Sequence, residues 1–206
     1  MLVDDHAVVR AGVRRLIEQD GRFLVVAEAD SGESAYQQYG LYTPDIVIMD
    51  LSMPGMGGME AISRIIARHP AAKLLVLSMH ENAAFANQAL KVGAKGYLPK
   101  NGLAEELVNA LQHISNDQIY INANISKKIA QQFLSNENTL LQQLSAREFE
   151  IFRLLAEGIE SADIGKKLNI SSKTVANYQT TIKQKLGVNN SVELVRLAIR
   201  SGLIDS

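Results

Sequence analysis

The chain has 206 residues, 47% of them hydrophobic and 21% charged, with a formal net charge of −1; this is ordinary globular composition and enough length for two small domains, each with its own core. Cysteine is absent, which excludes disulfides, thiolate nucleophiles and thiolate metal sites. No apolar run approaches the roughly 20 residues of a membrane-spanning helix.

No signal peptide is visible, so the reading is a cytoplasmic protein without a membrane partner. Charge is unevenly spread. Residues 1–115 carry 10 Lys and Arg against 13 Asp and Glu, whereas residues 143–206 carry 9 against 7. A mildly basic tail is compatible with nucleic acid.

Met1-Leu2-Val3 is a very short apolar segment that ends in Asp4-Asp5, against about 5–6 residues for a usual strand. Val9, Val13, Leu16 and Ile17 fall on one face of a helix over 7–18. A second strand is expected over 23–29 and a second helix over 33–40. Ile46-Val47-Ile48-Met49, four apolar residues of which three are β-branched, reads as a strand buried on both faces, as parallel sheets require. It stops at Asp50 and runs into the Pro/Gly-rich loop 51–58, where Gly55, Gly57 and Gly58 read as turn formers. A helix over 59–68, a strand over 73–78, a helix over 83–92, a strand over 96–98 and a helix over 102–115 follow. Five alternations of strand and helix predict an α/β domain with a doubly wound, five-stranded parallel sheet.

Right-handed crossovers place all five strand ends on one side, and in such sheets the chemistry sits beyond the carboxyl ends. That edge collects Asp4, Asp5, Asp50, Ser78 and Lys100. Converging carboxylates repel by about 1 kcal/mol per pair at 4 Å in water, and by more when partly buried, so the cluster calls for a cation. Oxygen-only ligands with no His or Cys nearby favour Mg²⁺. Lys100 supplies a point charge and Ser78 a hydroxyl for a phosphoryl oxygen, and an Asp that accepts a phosphoryl group is an established nucleophile.

Leu2-Val3-Asp4-Asp5-His6, Val47 to Gly58 and Gly93 to Lys100 resemble the receiver domain of two-component response regulators, whose fold is flavodoxin-like. The resemblance implies that Asp50 is the phosphoacceptor, with Lys100 and Ser78 contacting the phosphoryl group. It implies Mg²⁺ on Asp4, Asp5, Asp50 and the backbone carbonyl of Ser52, and a switch formed by Ser78 and Tyr97. One departure is that Pro99 precedes Lys100. A phosphatase using a strand-end Asp is the rival reading; such enzymes carry a second acid two residues on, where this chain has Ser52.

Residues 116–143 are polar and read as a linker with one helix over 126–134. From Leu144 the pattern becomes all-helical. Ser145 and Glu148 form a capping box, and helices follow from Ser161 to Leu168, Ser172 to Leu186 and Ser191 to Ser201. Two helices joined by a three-residue turn make a helix-turn-helix candidate. On the helix from Ser172, Val175, Ile182 and Leu186 form the buried stripe, while Lys173, Ala176, Asn177, Thr180 and Lys183 take the opposite face.

Leu144 to Glu148, Ala162 to Leu168, Ser171 to Tyr178 and Ile182 to Val188 resemble the LuxR-type helix-turn-helix, so the whole chain is similar to the NarL/FixJ class of response regulators. The division implied is a receiver over 1–115, a linker over 116–143 and an all-α, four-helix DNA-binding domain over 144–206. By the same resemblance Ala176, Asn177 and Thr180 face bases, and Lys173, Thr174 and Lys183 face the backbone of double-stranded DNA. The implied function is a non-enzymatic transcription regulator whose partners are a sensor histidine kinase, promoter DNA and a second copy of itself, with a homodimer on activation.

Overall fold

The computed structural model describes residues 1–134 and 140–204; part of the expected linker, 135–139, and the last two residues lie outside the described residues. The chain forms two compact units, Met1–Glu81 with Ala89–Ala123, and Asn82–Gln88 with Asn124–Ser206.

In the first unit the strands are β1 (Leu2–Val3), β2 (Glu28–Ala29), β3 (Val47–Asp50), β4 (Leu74–Ser78), β5 (Gly96–Pro99) and β6 (Tyr120–Ile121). Their order is β2-β1-β3-β4-β5-β6, and every pairing is parallel. Helices α1 (Ala7–Gln19), α2 (Gly32–Tyr42), α3 (Gly57–Arg68), α4 (Ala83–Lys91) and α5 (Leu103–Ser115) connect them, the part of α4 up to Gln88 belonging to the second unit. Alternation along the strands supplies two cores. Leu2, Ile48, Leu75, Leu77 and Leu98 meet Val13 and Ile17 of α1 and Leu107, Leu111 and Ile114 of α5. Val47, Met49, Leu74, Val76 and Tyr97 alternate with them and are equally buried, on the side where α3 packs against β3 and α2 against α3.

Two expectations need correction. The sheet has six strands rather than five, because Tyr120–Ile121, inside the expected linker, pairs with β5 as Gly96↔Tyr120 and Tyr97↔Ile121. Gly96 makes this edge workable: a Cβ there would stand 2.7 Å from Ile114 Cδ1 and 2.9 Å from Leu75 Cδ1. The second strand covers only Glu28–Ala29 of the expected 23–29, because β1 offers it partners only at Leu2 and Val3.

In the second unit, α6 (Ala123–Leu134) begins three residues before the expected linker helix. A 3₁₀ turn over Leu141–Gln143 leads to α7 (Ala146–Ala156), α8 (Ser161–Leu168), α9 (Ser172–Leu186) and α10 (Ser191–Arg200). Both halves of the Ser145/Glu148 capping box are present. Glu148 also meets Lys185 Nζ at 2.6 Å, tying α7 to α9. Burial works against the Glu148 charge, but Lys185 and the Ser145 backbone outweigh it and hold its pKa below the ordinary value. Phe149, Phe152, Ile164, Leu168, Val175, Ile182, Leu186 and Leu194 are buried. Phe85 meets Phe149 edge-on, with ring centroids 5.4 Å apart, and Gln88 Nε2 donates to Leu144 O at 3.2 Å. Among the described residues no helix is long and apolar enough to cross a membrane.

Candidate functional site

The carboxyl ends of β1, β3 and β5 gather four of the expected residues. Asp4 and Asp50 are almost fully buried. Lys100 Nζ lies 2.7 Å from Asp4 Oδ2 and 3.1 Å from Asp50 Oδ1. Carboxylate oxygens of Asp4, Asp5 and Asp50 and a ring nitrogen of His6 all lie within 4.8 Å of one another. Burial raises the Asp50 pKa above its ordinary value and Asp4 adds to this, against the pull of Lys100 and of the Ser52 backbone N–H. Burial works against the Lys100 charge, yet Asp4 and Asp50 outweigh it and hold its pKa above the ordinary lysine value.

Three carboxylates face one lysine ammonium, which leaves about two negative charges for a divalent ion to neutralise. Asp5 Oδ1 and Asp50 Oδ1 are buried with no hydrogen bond beyond their ion-pair contacts with His6 and Lys100, which leaves lone pairs open to a metal. The donor set therefore fits a hard, oxygen-seeking cation. His6 Nδ1 stands 2.9 Å from Asp5 Oδ1.

Ser78 is fully buried at the end of β4, and its Oγ accepts the His80 N–H at 3.1 Å. Tyr97 is equally buried and donates its hydroxyl to His80 O at 2.7 Å; burial, above all, holds its pKa well above the ordinary value. The structure thus brings Ser78 and Tyr97 together on one turn, 79–81. Ser52 is itself exposed in the loop after β3, its backbone N–H donated to Asp50. Pro99 belongs to β5, opposite Ser78, and Lys100 N still bonds Ser78 O at 2.8 Å.

In the second unit Asn169 takes a left-handed conformation (φ 53°) and closes α8. Ser171 caps α9 through the Thr174 N–H. Gly165 lies against the turn, where a Cβ would stand 2.7 Å from Ile170 O. Lys173, Ala176, Asn177 and Thr180 are exposed on α9, with Lys183 half-buried beside them. Thr174 is committed to the cap, its Oγ1 lying 2.8 Å from Ser171 Oγ, and Thr180 Oγ1 donates to Ala176 O at 3.1 Å.

Residues 1–112 match the response regulator receiver domain, and residues 142–198 match the luxR family of bacterial regulatory proteins. The chain belongs to the response regulators of the NarL/FixJ class.

This class comprises DNA-binding two-component transcription regulators rather than turnover enzymes. The response regulator UvrY of Escherichia coli (strain K12) is 36% identical, over all of this chain and 95% of its own length. The oxygen regulatory protein NreC of Staphylococcus aureus (strain JH9) is also 36% identical, over all of this chain and 98% of its own. Among solved structures, RcsB of Salmonella enterica serovar Typhimurium, bound to promoter rprA with the phosphomimetic BeF₃⁻, matches with a TM-score of 0.68 at 29% identity, covering 95% of each chain. A LuxR-family two-component response regulator from Aurantimonas sp. SI85-9A1 matches with a TM-score of 0.63 at 44% identity, covering 65% of this chain and 96% of that one.

Three supports of the receiver pocket escaped the sequence reading. Arg10 Nη1 donates to Asp4 O at 2.6 Å; its place on the first helical turn after the Asp4-Asp5 pair is the available signal. Glu33 Oε1 accepts the Met56 N–H at 2.9 Å and pins the loop after Asp50 across 23 residues, which no local pattern announces. Gly55 and Gly57 adopt positive φ, as turn formers do. Gly58 does not: it is needed because a Cβ would overlap the Asp50 carbonyl oxygen.

Proposed function

We propose that the protein is a cytoplasmic, phosphorylation-dependent transcription regulator that accepts a phosphoryl group on Asp50 from a sensor histidine kinase. An Asp50 carboxylate oxygen attacks phosphorus, the bond from phosphorus to the kinase histidine nitrogen breaks, and that nitrogen keeps the electron pair. Asp4, Asp5, Asp50 and the Ser52 carbonyl would hold Mg²⁺, which neutralises the charge gathering between carboxylates and phosphoryl oxygens. Lys100 takes one phosphoryl oxygen by charge, and Ser78 donates its hydroxyl to another, which draws its oxygen away from the His80 N–H. Loss of that bond frees the 79–81 turn that Tyr97 holds, and so carries the change outward. At most a slow self-dephosphorylation accompanies this step.

The output is DNA binding by the exposed face of α9. Asn177, Thr180 and Ala176 reach base edges, while Lys173, Thr174 and Lys183 reach phosphates. One such module contacts little DNA, so a homodimer on two half-sites about one helical turn apart is expected on activation. RcsB, seen bound to promoter DNA in the presence of a phosphomimetic, supports this reading. The division proposed is a receiver over 1–115 completed by the edge strand Tyr120–Ile121, a connector over the rest of 116–143 and a DNA-binding domain over 144–206.

The observation that carries the proposal is the buried triad of Asp4, Asp50 and Lys100 at the rim of the sheet. Intact-mass measurement after incubation with a small acyl phosphate tests it. One added phosphoryl group is expected with Mg²⁺, and none without Mg²⁺ or in Asp50→Ala. Equal addition to Asp50→Ala overturns the assignment.

A further inference from the structure

The expectation of oxygen donors alone in the acidic pocket needs correction. A ring nitrogen of His6 lies within 4.8 Å of carboxylate oxygens of Asp4, Asp5 and Asp50. Its Nδ1 stands 2.9 Å from Asp5 Oδ1 and 3.3 Å from Asp4 Oδ1. Adjacent donors to one six-coordinate ion, each at about 2.1 Å, stand about 3 Å apart, and opposite donors about 4 Å. The four groups therefore have the spacing of ligands to a shared ion. Asp50 Oδ1, on a side chain only 2% exposed, has no hydrogen bond beyond its ion pair with Lys100, so a buried donor is in place beside the imidazole.

No local role accounts for the His6 ring. His6 is the N-cap of α1, yet its side chain makes no capping bond. Its backbone does the local work: the N–H donates to Asp4 Oδ1 at 2.9 Å, and the carbonyl accepts the Arg10 N–H at 3.0 Å. The side chain is 66% exposed, so packing does not need it either. The other rings differ. His69 lies against Tyr39, and His113 Nδ1 meets Asn109 O at 2.9 Å. Among the described residues His6 is the one imidazole set in a group of carboxylates. Carboxylates and water suit Mg²⁺, whereas an imidazole nitrogen favours the later divalent transition ions, whose affinity rises from Mn²⁺ through Co²⁺ to Ni²⁺.

We propose that His6 Nδ1 is a further metal donor of the phosphoacceptor pocket, which thereby takes a nitrogen-seeking divalent transition ion in competition with Mg²⁺. The assignment rests on the Mg²⁺ pocket proposed above and goes beyond it. Asp5 and Asp50 serve either ion, and His6 ligates the transition ion at a position where Mg²⁺ keeps a water. Mg²⁺ dehydrates reluctantly and gains little from the ring. His6 is thus a specificity residue that sets which ion occupies the pocket.

Co²⁺ is the probe, because it favours nitrogen donors and its paramagnetism moves the ring protons of a coordinated imidazole far from the other protein resonances. Co²⁺ and Mg²⁺ are titrated calorimetrically into the full-length protein, its His6→Phe form and its Asp5→Asn form, and proton spectra are recorded with Co²⁺ bound. Since the ring is exposed and the backbone carries the local bonds, His6→Phe keeps the fold. The parent is expected to show one set of shifted imidazole protons, lost on adding excess Mg²⁺ and absent from His6→Phe. His6→Phe is expected to weaken Co²⁺ by about tenfold or more and Mg²⁺ by less than about twofold. Shifted protons that persist in His6→Phe, their absence from the Co²⁺-loaded parent, or an equal effect of His6→Phe on both ions overturns the proposal and leaves the Mg²⁺ pocket standing. Binding of both ions untouched by Asp5→Asn overturns the pocket and the proposal together.

Discussion

Replacing Lys100 by Met removes the counter-charge of two buried carboxylates while keeping the volume of the side chain. Nζ lies 2.7 Å from Asp4 and 3.1 Å from Asp50, and the Asp4 and Asp50 side chains are only 3% and 2% exposed. Breaking a buried pair by removing one partner costs about 3–5 kcal/mol, because an uncompensated charge stays behind. Asp4 retains the His6 N–H at 2.9 Å and Asp50 the Ser52 N–H, which places the expected loss near the lower figure. Amide exchange of Val47–Asp50 reads the opening of this sheet alone. In EDTA, Lys100→Met should lower that opening free energy by about 3 kcal/mol. Excess Mg²⁺ should recover much of the loss by supplying the missing charge. In an Asp50→Asn background the same substitution should cost well under half as much, which a double-mutant cycle isolates. A loss below about 1 kcal/mol, or one equal in both backgrounds, would refute the claim that Lys100 holds the pocket together by charge.

Gly58→Ala should destabilise the first unit by about 3 kcal/mol and abolish phosphorylation, since its Cβ would overlap the Asp50 carbonyl; a mass shift on acyl phosphate equal to that of the parent would contradict this. The Met1 ammonium has a folded pKa of about 6 against 8.0 unfolded. The folded state therefore binds fewer protons, and stability should rise between pH 6 and 8 by roughly 2–3 kcal/mol. N-terminal acetylation should flatten that slope in urea titrations at several pH values. Tyr97→Phe loses the bond to the His80 carbonyl and should cost about 1 kcal/mol, with acyl-phosphate uptake preserved; lost uptake would place Tyr97 in the chemistry. Asn177→Ala and Thr180→Ala, both on exposed positions, should leave melting unchanged and weaken specific DNA binding by about 1–3 kcal/mol. Lys183→Ala should reduce the salt slope of binding by about one; an unchanged slope would take Lys183 off the phosphates.

Much of the architecture is legible in local pattern. The β-branched run into Asp50, the acidic pair after Val3 and the Ser145/Glu148 box each combine residue type with spacing, and each stands in the structure where the pattern puts it. β6 was not legible, because two residues set among Asn, Asp and Gln cannot show alternation, and its reason for existing is the edge of β5. The second strand was read too long for the complementary reason: Phe23 to Ala27 has strand composition, but strands need partners, and β1 supplies none there. The pocket was legible as a set of residues and illegible as a mechanism of support. Its ion pair joins Asp4 to Lys100 across 96 residues, Glu33 reaches Met56, and Gly58 answers a backbone contact; each is a tertiary fact without a local signature.

At the centre of the proposed function, the chemical state of Asp50 governs DNA recognition by α9. Its most direct test is selection of double-stranded sites from a random pool by the full-length protein at near-physiological salt, with and without an acyl phosphate and Mg²⁺, beside Asp50→Ala. The account predicts a half-site pair enriched far more strongly by the phosphorylated protein, with Asp50→Ala giving the weak enrichment of the untreated protein under both conditions. Equal enrichment of the same sites by Asp50→Ala and by the phosphorylated protein would contradict it.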